Sequence, residues 1–259
     1  MHAEKFTNGM SGALNNTWET SVNIKFKSHC LVGAKKWHET YQSLIGSGPT
    51  ADKILVPWGP IWPPSGYVSG SKTEITNDVQ FRLAVQDCMI KEPTLGACWE
   101  SEYGPAPLWN TSLVTDMSNT FRNKEQSNWM ISAWDTSRVT SMSEMFKSAK
   151  VFSFDISSWN ISQVTDMTRM FDGAAKFNQN IGTWDTSKVK SMVGMLANTA
   201  YFDRELRNWD TSSVTSMEEM FRNAKNFNQF IDSWDTSSVT SMRLMFSGTL
   251  NFNQILGNW

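Results

Sequence analysis

From residue 109 onward, apolar and polar positions recur with a period of 25 residues. Tryptophan stands at 109, 134, 159, 184, 209, 234 and 259. With Trp as position 0, Val recurs at 5, Met at 8 and 11, Phe or Leu at 12, a small residue near 15, an aromatic at 18 and Ile or Leu at 22. The consensus is W-D-T-S-x-V-T-S-M-x-x-M-F-x-x-A-x-x-F-N-Q-x-I-x-x. Positions 5, 8, 11, 12 and 15 follow the three-and-four spacing of one helical face, which predicts a short helix. The Asp-Thr-Ser before it offers N-cap oxygens. The run from position 18 to the next Trp is too short for a helix and predicts a turn and a short strand. One short parallel strand and one short helix per 25 residues predict an α/β solenoid, a leucine-rich-repeat-like right-handed coil. Its strands would stack ~4.8 Å apart. Each unit could bury its apolar face only against its neighbours.

The repeat resembles that of the BspA-like leucine-rich-repeat surface proteins, including the "domain of unknown function" repeats first described in mycoplasma surface lipoproteins. The matching residues are Trp134-Asp135-Thr136-Ser137-Arg138-Val139-Thr140-Ser141-Met142 and Phe227-Asn228-Gln229-Phe230-Ile231. Phe81 to Trp109 resembles the entry module that precedes such arrays, with a short helix, two cysteines and a Tyr-Gly lead into the first Trp. The expected organisation is an N-terminal region (1–75), an entry or capping module (76–108) and six tandem repeats (109–259). The resemblance implies a cell-surface or secreted interaction protein.

Composition narrows the classes. A net charge of −2 offers no basic excess for nucleic acid. No apolar run approaches the ~20 residues of a membrane span. The first dozen residues are too polar for the apolar core of a signal peptide, and Trp259 opens a seventh unit without a polar cap. The chain therefore reads as a piece of a longer protein. Cys88 and Cys98 lie ten apart and are candidates for a disulfide that caps the first unit; the alternative is three free thiols, Cys30 included. Repeats without cysteine exclude a disulfide-dense scaffold.

Catalytic, cofactor and metal candidates are absent. His38-Glu39 opens like a zinc-peptidase helix but lacks the second histidine. Position 1 carries Asp135, Asp185, Asp210 and Asp235, with Asn110 and Asn160 interleaved. These read as helix caps or backbone acceptors rather than calcium ligands. Asn and Gln at positions 19 and 20 read as a ladder that satisfies backbone groups. Two threonine files, at positions 2 and 6, raise ice binding as a weak alternative, interrupted by Ile161 and Lys190. Of the sequons at Asn15, Asn110 and Asn160, a buried capping role at position 1 leaves Asn15 as the glycosylation candidate.

Function is thus expected on the surface. Variable residues at positions 4 and 9–10 form the candidate interaction surface: Arg138, Gln163, Lys188, Glu144, Arg169, Glu218, Glu219 and Arg243. The expectation is a non-enzymatic extracellular or cell-surface module for adhesion or recognition, with a protein or cell-surface glycan as partner. A structural subunit or spacer, assembling through the open C-terminal coil at Trp259, is the second reading.

Overall fold

The computed structural model describes residues 72–257 and Trp259. Asn15, Cys30 and His38 lie outside the described residues. The segment before the repeats holds helix α1, Asp78–Lys91, whose N-cap Asn77 accepts from the Gln80 N–H at 3.0 Å. A loop braced by Glu92, which accepts from the N–H groups of Leu95 and Ala97, leads to a single 3-10 turn, Ala106–Leu108.

In the repeats the helix expected over positions 5–15 does not form, and the strand expected at 18–24 is not there either. Positions 8–15 are consecutive turns, and the only sheet pairing is one bridged residue per unit at position 7. Asp116, Ser141, Asp166, Ser191, Ser216 and Ser241 pair in parallel, each with its counterpart 25 residues on.

The physical reason lies in the backbone. Positions 10 and 14 adopt positive φ in all six units: Asn119, Glu144, Arg169, Gly194, Glu219 and Leu244, then Asn123, Ser148, Gly173, Asn198, Asn223 and Gly248. A left-handed residue every four breaks the run of right-handed dihedrals a helix needs. Alternate N–H groups then turn out of their own unit. Those at positions 8, 10, 12 and 14 donate to the carbonyls of positions 7, 9, 11 and 13 in the next unit, as in Phe146 to Met170 at 2.8 Å and Ser148 to Asp172 at 2.7 Å. Those at 11, 13 and 15 close three-residue turns instead, as in Met145 to Met142 and Ala149 to Phe146. Three-residue turns bring positions 5, 8, 11, 12 and 15 inward much as a helix would, so the apolar pattern suits both. A helix of so few residues is marginal in water.

Units in register stack like on like. Phe121, Phe146 and Phe171 lie face to face with centroids 5.2 and 5.4 Å apart. The position-18 column runs from Phe152 through Phe177, Phe202 and Phe227 to Phe252 at 5.9–6.2 Å. In the first unit, where Ser127 replaces that Phe, Trp129 packs edge-on against Phe121 instead. Each buried indole also finds an acceptor. Trp134, Trp159, Trp184, Trp209 and Trp234 donate Nε1–H to the carbonyl 28 residues earlier, at 2.9–3.3 Å. The column is therefore both apolar core and hydrogen-bond ladder.

Two substitutions test this reading by chemical denaturation. Phe171 is fully buried between two rings, and Phe171→Ala is expected to lose ~3–5 kcal/mol. At Ser148 (φ 59°), the β-branched Ser148→Val is expected to lose ~1–2 kcal/mol, whereas Ser148→Gly is tolerated. Equal effects of Val and Gly would contradict the left-handed turn.

Candidate interaction surface

The first unit has no preceding repeat, and α1 stands in for one. In later units the position-6 N–H donates to the position-6 carbonyl of the unit before, as in Thr140 to Thr115. At Thr115 the acceptor is the Asp78 carboxylate, 2.7 Å from the N–H and 2.8 Å from the hydroxyl, which also takes the Asp116 N–H at 3.1 Å. Arg82 donates to the Ser118 carbonyl at 3.1 Å, the position-9 carbonyl that a preceding unit would otherwise satisfy. Arg82 also pairs with the Asp116 carboxylate. Phe81 meets Trp109 and Trp134 edge-on at 6.4 and 5.3 Å. Cys88 of α1 is disulfide-bonded to Cys98, with their Cα atoms 5.2 Å apart, which ties the helix to the loop that enters the repeats. Burial raises the Asp78 carboxyl, but the bonds from Thr115 and Asp116 and the nearby Arg82 outweigh it and hold the group below its ordinary value.

The candidate surface residues separate into two kinds. Arg138, Gln163 and Lys188, at position 4, are exposed. Lys188 reaches Gln163 at 2.7 Å, and Arg138 makes no ion pair among the described residues. Positions 9 and 10 are committed to ion pairs with one another and with position 13. Glu144 pairs with Arg122 and Lys147, both at 2.8 Å, and Lys147 above all holds its carboxyl low. Glu219 receives Arg169, Arg222 and Arg243 at 3.4–3.8 Å, and Arg243 also pairs with Glu218. Arg169 reaches Glu219 across the intervening unit because Gly194 stands there. A Cβ on Gly194 would lie 3.1 Å from the Arg169 Cγ.

Position 1 caps a turn rather than a helix. The side-chain oxygens of Asn110, Asp135, Asn160, Asp185, Asp210 and Asp235 accept the N–H of Ser two residues on, at 2.9–3.1 Å. Hydrogen bonds from Ser187 and Ser237 hold the Asp185 and Asp235 carboxyls low. All six side chains belong to exposed residues, so the burial that argued against glycans at Asn110 and Asn160 is absent. Among the position-2 threonines, Thr111, Thr136, Thr186 and Thr211 are buried and donate to the next unit's position-1 carbonyl. That file is removed from any ice-facing surface. At position 19, Asn128, Asn178, Asp203 and Asn228 each accept the N–H 25 residues on, at 2.9–3.1 Å.

Among the described residues no group of three His, Cys, Asp or Glu side chains could hold a metal ion, and no helix is long and apolar enough to cross a membrane. A cavity of about 240 Å³ lies beside Ile75, Tyr103, Trp109 and Leu113. The position-14 signal was readable in the sequence, since Asn, Ser and Gly fill it throughout and Asn and Gly favour the left-handed region. The ion-pair commitment of positions 9–10 was not, because it depends on which units lie side by side.

Two measurements probe the N-terminal closure. A depressed carboxyl contributes stability that is complete above the unfolded value of about 4 and lost as pH falls through the lower folded value. Acid unfolding of the protein is therefore expected below pH ~4, with Asp78→Asn flattening that dependence and Asp78→Ala losing ~1–3 kcal/mol at neutral pH. An unchanged acid profile in Asp78→Asn would remove the capping role. Reducing Cys88–Cys98, which closes a loop of ten residues in sequence separation, is expected to lower stability by ~2–3 kcal/mol, read as a shift in the denaturation midpoint.

Two segments of the chain, residues 95–206 and 190–259, match the model of one protein family, described as "Mycoplasma protein of unknown function, DUF285". No curated protein and no solved structure matches the chain. The family matches span residues 95–259, more than half of the 259 residues, and include all six units together with the Cys98 loop. The chain belongs to the mycoplasma DUF285 repeat family.

Proposed function

We propose that residues 109–259 form a leucine-rich-repeat-like, right-handed solenoid of the BspA-like kind, working outside the cell as a non-enzymatic recognition or adhesion module. Support for the stacked architecture comes from the like-on-like bonds between units; support for an oxidising compartment comes from the Cys88–Cys98 disulfide. The observation that carries the functional reading is the position-4 column. Arg138, Gln163 and Lys188 are exposed and chemically different from unit to unit, while the polar groups at positions 1, 2, 10 and 19 are largely taken up within the repeats. A rigid backbone bearing variable side chains on one file is how repeat proteins bind partners. The partner is a protein or a cell-surface glycan.

The test is a binding survey against extracellular matrix proteins and cell surfaces, with the triple variant Arg138→Ala, Gln163→Ala, Lys188→Ala. Affinity for a captured partner is expected to fall about tenfold or more with no change in the melting temperature. A partner bound equally by the triple variant would place the surface elsewhere. Stable co-purification at fixed stoichiometry would favour the second reading, a structural subunit.

A further inference from the structure

At position 1, four units carry aspartate and two carry asparagine. Each asparagine stands two residues before a serine, in Asn110-Thr111-Ser112 and Asn160-Ile161-Ser162, the acceptor pattern of N-glycosylation. A glycan and a cap exclude one another only where both use the same atom, and the turn decides which atom each uses. The group facing the side chain is the N–H of Ser112 or Ser162, 3.1 Å away in both units. That donor is met by the carboxamide oxygen, so the nitrogen, itself a donor, takes the other side. The four aspartates make the same point, since they offer only oxygen and accept the same N–H at 2.9–3.1 Å. Nδ2 of Asn110 and of Asn160 carries no hydrogen bond among the described residues, and both residues are exposed. Thr111 and Ile161 are buried. Each tripeptide is therefore anchored by its middle residue and presents its asparagine to solvent. The serine hydroxyl is also within reach: in two aspartate units, Ser187 and Ser212 place theirs 2.7 and 2.6 Å from the position-1 carboxylate.

We propose that Asn110 and Asn160 are N-glycan acceptors whose caps survive the modification. The co-substrate is an oligosaccharide carried on a lipid pyrophosphate. Nδ2 bonds to the anomeric carbon of the first sugar, and the bond from that carbon to the pyrophosphate oxygen breaks with its electron pair leaving on the lipid pyrophosphate. One Nδ2 proton is released. The product is still an amide, so Oδ1 continues to accept from Ser112 or Ser162. The proposal rests on the extracellular reading, because such a donor is met on a secretory route; the Cys88–Cys98 disulfide supports that route. Capping alone does not distinguish the two residue types, which serve nearly equally in that role. Attachment of sugar does, since a carboxylate has no nitrogen to offer.

The experiment expresses the full chain behind a cleavable secretory leader in eukaryotic cells. Peptide mass spectrometry reads occupancy before and after enzymatic release of N-glycans, which leaves an aspartate at each modified asparagine. Asn110 and Asn160 are both expected to be occupied. Asn110→Asp and Asn160→Asp install the residue that four units already use for the cap. Each is expected to remove one glycan and to leave the melting temperature of the deglycosylated protein unchanged. Asp210→Asn, ahead of Thr211 and Ser212, is expected to add a glycan, and Ser212→Ala in the same chain to abolish it. Bare asparagines at 110 and 160 in a secreted chain whose Cys88–Cys98 bridge has formed would overturn the proposal. So would a glycosylated chain that melts lower than its deglycosylated form, because the cap would then have been displaced. The two functional readings fail separately. Bare asparagines with partner binding intact would remove the acceptors alone; occupied asparagines with a partner held equally by the position-4 triple variant would remove the position-4 surface alone.

Discussion

The structure of the repeats depends on the two left-handed residues in every unit. With positions 10 and 14 at positive φ, peptide groups alternate: one N–H closes a local turn and the next points along the stack. A net contribution of ~1 kcal/mol per bond is modest, but leaving a buried N–H unpaired would cost ~1–3 kcal/mol. Each unit therefore needs the next one to satisfy its backbone. This dependence explains why the repeats hold almost no helix or sheet while the same four backbone bonds recur at each of the five junctions. Asn or Gly at position 14 takes up the left-handed turn at low cost. At position 10, Glu144, Arg169 and Leu244 take the same conformation without that advantage.

Side chains extend the same logic. Once units lie in register, any polar group at a fixed position meets its own kind one unit away. The tryptophan indoles, the position-2 threonines and the position-19 carboxamides all use that proximity to reach a neighbouring backbone group. Because these donors and acceptors are satisfied, the interior can consist of Val, Met, Phe and Trp columns with near-complete burial. Where a position breaks the pattern, the local contact changes. Ile161 removes one threonine bond but stays buried, and Trp129 fills the space that Ser127 leaves.

The first unit is closed by residues from outside the repeat. At the first unit, α1 supplies a carboxylate and a guanidinium where a preceding repeat would supply a carbonyl and an N–H. Along the repeats, the ion pairs of Glu144 and Glu219 consume most of the charge at positions 9, 10 and 13. At position 4, Arg138, Gln163 and Lys188 stay exposed.

The sequence by itself determined the period, the register and the membership of the core. Trp, Val, Met and Phe recur at the positions that prove buried, because a repeated unit in register must put the same side chain in the same place. Asn, Ser and Gly at position 14 carried a turn signal that the helical spacing of the apolar residues masked. The sequence did not reveal that the apolar spacing belongs to turns rather than to a helix, since both bring positions 5, 8, 11, 12 and 15 inward. That choice was made between units: so short a helix would satisfy its own backbone poorly, whereas the turned chain pairs with a neighbour on each side. Nor could the sequence separate Arg138, Gln163 and Lys188 from Glu144, Arg169 and Glu219. All six are polar and variable, and only the side-by-side placement of the units decides which charges find partners and which remain exposed.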